Sequence, residues 1–223
     1  KLITLESIIL NLEYKQNIKN PKNLNKEINS LLSKTKNSPE KNLIDTLVIR
    51  SMSKAKYSTK NIGHFGLCFE KYTHFTSPIR RYPDVLVHRE MEKILLKQTK
   101  KQDIEALCLH CSNREEVATK AERASIKFMQ VKYMSTKINQ KFNGVISGIT
   151  ERGVFVEAID NKCEGFVKIK DVPGDYFVFN EKEMLILGRN TKEEYRLGDP
   201  VLIQVDGVNQ RKQQIDFSLI EKM

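Results

Sequence analysis

At Phe142 the chain changes its hydrophobic rhythm, and that change limits the fold more than any other feature. Upstream, apolar residues recur at three- and four-residue spacing, as in Leu2, Leu5, Ile8, Ile9 and Leu12, which lays a stripe along one side of a helix. Downstream come short runs with glycines at their corners: FNGVISGIT, GVFVEAI, CEGFVKIK, DPVLIQVDGV and QQIDFSLI. Their alternation sends successive side chains to opposite faces of a strand. Five such strands in that order predict a small Greek-key barrel of the OB type. The expected fold class is α+β, a mainly helical portion followed by a five-stranded OB-type β-barrel.

Residues 1–98 read as mostly helical, interrupted by the glycine-bearing segment from Asn61 to Gly66. Ser38-Pro39-Glu40 supplies a cap hydroxyl, a proline for the first helical position and an early carboxylate. Leu43, Ile44, Leu47, Val48 and Met52 then share a face. The polar stretch from Asn17 to Asn25, with Pro21, predicts a surface linker. Asp84 is suited to cap a helix running to about Lys97, with Val85, His88, Met91 and Leu95 along one side. A helix from about Gln102 to Cys111 is expected next, and then a longer one to about Ser135, opened by the capping box Ser112-x-x-Glu115. The stripe Val117, Ala121, Ala124, Phe128 and Val131 on that longer helix has the small residues that close helix packing needs. Asp175 to Tyr195 is long for a barrel connection and predicts a short helix or an irregular loop. The expected divisions are 1–98, 99–141 and 142–223.

The 223 residues hold 38 Lys and Arg against 28 Asp and Glu, a formal charge of +10. From Phe142 onward there are 11 basic against 14 acidic residues, so the whole surplus lies upstream. Such a surplus suits a polyanion partner. No run approaches the roughly 18 apolar residues of a membrane span, and the opening KLITLESIIL lacks the blocks of a signal peptide. A cytoplasmic chain with no membrane partner is expected, and a start at Lys1 suggests a piece of a longer polypeptide. Four cysteines, at 68, 108, 111 and 163, are too scattered for a disulfide framework. Cys108-x-x-Cys111 lacks a second ligand pair for structural zinc, so no metal site is expected in this segment.

Chemistry concentrates in His74-Phe75-Thr76-Ser77-Pro78-Ile79-Arg80-Arg81-Tyr82-Pro83-Asp84. Pro78 and Pro83 fix φ and bias the residues before them towards extended geometry, so the backbone around Arg80 loses little entropy on meeting a ligand. Guanidinium forks donate paired hydrogen bonds to phosphate and stay charged. In a basic chain the same pair also serves as solvated surface or a helix-end ion pair. The longer string HFTSPIRRYPDVLVHR, His74 to Arg89, resembles the signature of the ribonuclease II and ribonuclease R family of exoribonucleases, within it the ribonuclease R branch.

That resemblance implies a 3′-to-5′ exoribonuclease that releases nucleoside 5′-monophosphates by water attack, with Mg2+ held by clustered aspartates. Residues 1–98 resemble the later part of the family's catalytic RNB domain, and 99–141 its terminal helices. The arginine of the S-P-I-R segment acts on the scissile phosphate in this family, which corresponds to Arg80. Ser77, Arg81, Tyr82, His88 and Arg89 are the implied substrate-binding neighbours. Arg81 is equally placed to pair with Asp84, and His88, on an apolar face, also suits a hydrogen-bonded core position. The family's D-x-D-D cluster is absent from the sequence, so the magnesium ligands are expected in a missing N-terminal half of the same polypeptide. This segment alone is expected to hydrolyse RNA slowly or not at all.

From Phe142 to about Ile220 the runs G-V-I-x-G-I, G-V-F-V, E-G-F-V-x-I, Y-R-L-G-D-P-V and I-D-F-S-L are similar to an S1 RNA-binding domain. The similarity implies a clamp on single-stranded RNA, with bases stacked on Phe155 and Phe166 and phosphates near Lys168 and Lys170. In a strand either ring also fits the core. Arg152, Lys168 and Asn209 depart from the S1 pattern, where an aromatic residue, histidine and aspartate are frequent. Two further readings stay open: a non-catalytic S1-type RNA-binding module, and a helical scaffold whose arginines make internal ion pairs.

Overall fold

The computed structural model describes residues 2–14, 24–38, 40–61, 63–64, 67, 69–98 and 103–223. These form two compact units, one of residues 1–52 with 125–223 and one of residues 53–124.

In the first unit, α1 (Leu2–Asn11), α2 (Leu24–Lys34) and α3 (Lys41–Ser51) bury one stripe each. Leu5, Ile9, Ile28, Leu31, Ile44 and Val48 meet in a single cluster. Each such side chain gains about 1.5–3 kcal/mol from burial, before the entropy of ordering it is subtracted. The helical spacing is borne out with three corrections. Met52 lies past the helix end in an extended conformation and is exposed. The Ser38 hydroxyl donates to Thr35 O at 3.1 Å in the turn before α3, so the cap residue is Glu40, whose side chain makes no cap bond. Leu24 and Asn25, expected in the linker, already belong to α2. The rest of that linker and Pro39 lie outside the described residues.

The barrel joins β1 (Lys141–Thr150), β2 (Gly153–Ala158), β3 (Glu164–Lys168), β7 (Pro200–Asn209) and β8 (Gln214–Lys222). It closes in the order β1-β2-β3-β8-β7. Neighbours are antiparallel except β3 and β8, which run parallel with Phe166 opposite Asp216. Alternate residues such as Val154, Val156, Ile203, Val205, Ile215 and Phe217 fill the interior. A Cβ on Gly165 would stand 2.4 Å from Cε2 of Phe217, so only glycine lets that ring lie against β3.

The Asp175–Tyr195 stretch is neither a short helix nor an irregular loop. It carries β4 (Phe177–Asn180), β5 (Leu185–Gly188) and β6 (Glu194–Tyr195), paired as a small antiparallel sheet, after a single 3-10 turn at Ile169–Asp171. Phe177 and Tyr195 meet edge to face, 5.3 Å between centroids, and with Ile186 they join the barrel core.

In the second unit the described residues from Ser53 to Arg81 are extended segments and turns with one isolated bridge, His64 to Phe69. The described part of residues 1–98 is therefore less helical than the spacing of apolar residues predicts. Helix α4 spans Tyr82–Leu95, with Arg81 as its cap residue. Asp84 sits inside its first turn, not at the cap, and Met91 and Leu95 of the expected stripe are exposed. Helix α5 runs unbroken over Ile104–Met134, starting in this unit and ending in the other. Asp103 caps it by accepting the Ala106 N–H at 3.0 Å. No second helix starts at Ser112, because its hydroxyl donates back to Cys108 O (2.9 Å) and accepts the Tyr57 N–H (3.0 Å). Of the stripe expected to pack, Val131 enters the barrel core, while Val117, Ala121, Ala124 and Phe128 are exposed. No described helix of the chain is long and apolar enough to cross a membrane.

Candidate nucleic-acid interface

Two surfaces carry the predicted residues, one in each unit. In the 53–124 unit, Arg80 and Arg81 both donate their backbone N–H to Ser77 O, at 3.3 and 3.0 Å, which winds the chain into a turn directly before α4. Asp84 fastens this turn from below. Its Oδ2 accepts the Ser77 N–H at 2.8 Å and Arg81 Nη2 at 2.9 Å, and the residue is fully buried. Burial opposes ionisation of that carboxyl, but the Ser77 N–H and the Arg81 guanidinium outweigh it and hold it below the ordinary aspartate range.

The two arginines therefore separate in role. Arg81 is tied down, whereas Arg80 is exposed and its side chain has no partner among the described residues. Ser77 contributes through its backbone. Tyr82 is exposed on the first turn of α4, with the guanidinium of Arg89, also exposed, 6.0 Å from its ring centroid. His88 is half-buried. Its Nε2 donates to Phe75 O at 2.8 Å, and the two rings lie 4.3 Å apart beside an apolar hollow of about 310 Å³.

Behind the turn stands a support that sequence spacing did not reveal. Tyr57 Oη lies 3.2 Å from His74 Nδ1, and the Tyr57 N–H is held by Ser112 of α5. Burial, reinforced by the neighbouring Glu115, pushes the Tyr57 phenol up to about 12. Tyr57 and His74 are 17 positions apart, so no short motif could have paired them. Cys108 and Cys111 are free thiols on α5, both pushed up by burial; Cys68 lies outside the described residues. Among the described residues no three His, Cys, Asp or Glu side chains converge to hold a metal, and Asp84 is already bound by Ser77 and Arg81. The described residues do not fit a magnesium site.

On the barrel, the alternation of β2 and β3 turns Phe155 and Phe166 outward as a directly opposed pair. Their centroids are 5.0 Å apart with planes at 53°, and Phe155 is 36% exposed. They line an open cleft of about 740 Å³ together with Lys127, Arg152, Lys212 and Gln214. Lys127 reaches in from α5 and donates to Glu164 O at 2.6 Å; burial lowers its pKa despite the nearby Glu164. Lys168 is exposed at the end of β3, 4.0 Å from Asp171, and Lys170 is exposed on the following turn. Lys127, Lys212 and Gln214 were not singled out from sequence, because α5 and the β7–β8 corner reach this cleft only through the closure of the barrel.

Residues 1–97 match the RNB domain family and residues 135–220 the S1 RNA binding domain family. Ribonuclease R of Aquifex aeolicus is 40% identical over 190 residues, covering 83% of this chain and 27% of that protein. Ribonuclease R of Escherichia coli is 35% identical over 204 residues, covering 85% and 25%. The apo form of Mycoplasma genitalium RNase R superposes with a TM-score of 0.82 at 28% identity, over 98% of this chain and 36% of that one. Yeast Ssd1, described as a pseudonuclease, shares the fold at 13% identity with a TM-score of 0.62, over 100% of this chain and 40% of that one. The chain spans about a quarter of the length of these curated relatives. With an RNB segment carrying the arginine turn and an S1 barrel carrying the outward rings, the chain belongs to the ribonuclease R family.

Proposed function

We propose that this segment works in a 3′-to-5′ exoribonuclease that hydrolyses RNA to nucleoside 5′-monophosphates. Arg80 acts on the scissile phosphate and the barrel holds single-stranded RNA. One observation carries the reading: at a turn fixed by Asp84, Arg81 is neutralised while Arg80 is left exposed and unpaired among the described residues. A preset guanidinium stabilises charge that develops on phosphoryl oxygens without reorganising during the reaction. Ser77 and Arg81 position it through the turn, and Tyr82, His88 and Arg89 flank it on α4. Phe155 and Phe166 offer faces for bases, and Lys168 a charge for the backbone. Magnesium, as the family implies, would activate the attacking water and stabilise the leaving oxygen; its ligands are assigned to polypeptide outside this segment.

The test joins the upstream part of Aquifex aeolicus ribonuclease R ahead of Lys1 and compares Arg80 with Arg80→Lys. The charge is kept and the fork is lost, so the cleavage rate should fall about 10²-fold with RNA affinity retained. Equal loss of rate and affinity, or no loss, counts against the role of Arg80. The chain by itself should bind RNA without releasing nucleotides; magnesium-dependent release would overturn the assignment of the metal ligands elsewhere. A non-catalytic RNA-binding module is favoured by one observation, that the barrel with its outward rings is closed within this chain. An inert fusion that still binds RNA would select it.

A further inference from the structure

The insertion between β3 and β7 presents a second ring and guanidinium, apart from the Phe155–Phe166 cleft, on an unusually well-fixed corner. Asp175 organises it. Its carboxylate accepts the backbone N–H of Tyr176 (2.6 Å), Asn190 (2.6 Å) and Thr191 (2.7 Å), the Asn190 amide (2.8 Å) and the Thr191 hydroxyl (3.0 Å). A Cβ on Gly188 would stand 2.8 Å from Asp175 Oδ2 and 2.6 Å from Thr191 Oγ1, so glycine is what makes room for this cage. The Arg189 N–H donates to Tyr176 O at 3.0 Å, closing the open end of the β4–β5 hairpin. On this corner the Arg189 guanidinium lies 4.7 Å from the Tyr176 ring centroid, and Tyr176 is 62% exposed.

A lone surface cation–π pair is commonplace. Here the backbone of both partners is fixed, Tyr176 by the Asp175 carboxylate and Arg189 by Tyr176 O, which removes the backbone part of the ordering cost of binding. A ring with one face against a guanidinium keeps its other face open, and that combination takes a base by stacking and a phosphate by charge. Two exposed lysines, Lys168 and Lys170, lie on the chain leading from the barrel cleft to this corner. The eight steps of chain from Lys168 to Tyr176 extend at most about 28 Å, a span that a four-nucleotide strand seated in the cleft does not cover and a sixteen-nucleotide strand does.

We propose that Tyr176 and Arg189 form a second contact for single-stranded RNA, reached only by a strand that extends beyond the Phe155–Phe166 cleft. The proposal rests on the reading that this cleft binds RNA. The test is fluorescence anisotropy of the full chain with labelled U4 and U16 at one salt concentration. Tyr176→Ala and Arg189→Ala should each weaken U16 binding at least about five-fold and leave U4 binding unchanged. Tyr176→Leu, which keeps apolar bulk without the π face, should behave as Tyr176→Ala. Thermal unfolding should match the parent chain, since both side chains are exposed. Unchanged U16 binding in these variants, or equal losses on U4 and U16, overturns the second contact. If Phe155→Ala weakens both lengths in the same experiment, the cleft reading stands and only the second contact has failed. If Phe155→Ala affects neither length, the cleft reading fails and the second contact fails with it.

Discussion

Replacing Phe155, Phe166 and Phe217 one at a time by alanine separates a binding surface from a core within a single barrel. Phe217 is 3% exposed and packs inside, whereas Phe155 is 36% exposed on the outer face. Removing a buried phenylalanine costs about 3–5 kcal/mol, so Phe217→Ala should lower barrel stability by that much. Phe155 already leaves over a third of its surface in water, and its burial term is correspondingly about 1–2 kcal/mol. Its loss should appear instead in RNA affinity. Stacking on an aromatic face contributes about 1–3 kcal/mol per base, which is about 5- to 150-fold in Kd. The rings of Phe155 and Phe166 lie 5.0 Å apart, close enough to couple. The double variant should therefore lose less than the sum of the singles, because either ring alone gives up part of the shared platform. Anisotropy with single-stranded RNA at fixed salt, beside thermal unfolding of the same samples, reads both quantities. If Phe155→Ala and Phe166→Ala destabilise the barrel as strongly as Phe217→Ala while folded protein keeps its affinity, the rings are structural and the interface lies elsewhere.

Two further outcomes follow from single contacts. Gly165→Ala should cost about 1–3 kcal/mol by overpacking, since the new methyl would meet the Phe217 ring; an unchanged melting temperature would mean that the ring does not lie there. Asp84 has its folded pKa lowered, so its contribution to stability is complete above the ordinary aspartate value of about 3.9 and is lost as pH falls through the lowered folded value. Asp84→Asn should be less stable than the parent at neutral pH and should lack that acid-side decline. Acid unfolding curves that run parallel for the two proteins would refute the pairing of Asp84 with the turn.

The barrel was legible because its strands are long enough, five to ten residues, for alternation to repeat several times. The same rule failed for β4 and β6, which have four and two residues, too few for any period to show. Prolines made the arginine turn legible, yet the deciding fact, that Asp84 selects Arg81 and leaves Arg80 free, depends on which side chain reaches inward. The capping box at Ser112 was a false start for a related reason. A hydroxyl followed by a glutamate three residues later marks a helix entry only if the backbone bends there, and here Ser112 joins Tyr57 to the middle of an unbroken helix. The stripe from Val117 to Phe128 read as a packing face and is exposed; a pattern of apolar residues shows that a face is suited to burial and says nothing about what covers it.

On the proposed reading, the adjacent Arg80 and Arg81 show why a guanidinium that meets a phosphate benefits from a second that is paired within its own chain. Two free cations on one short turn would repel each other, and the backbone between them would have to be ordered on binding, at about 1–2 kcal/mol for each residue fixed. Asp84 removes both difficulties with one carboxylate oxygen, accepting the N–H of Ser77 at the start of the turn and the side chain of Arg81 at its end. Like-charge repulsion is cancelled on the inner side, and the backbone carrying Arg80 is fixed before any ligand arrives. A lysine at position 81 would keep the charge and still reach the carboxylate with one donor, but it would lack the planar fork that sets its direction. On the proposed reading, the reach of Arg80 towards a phosphate is therefore set by a contact that Arg80 does not itself make.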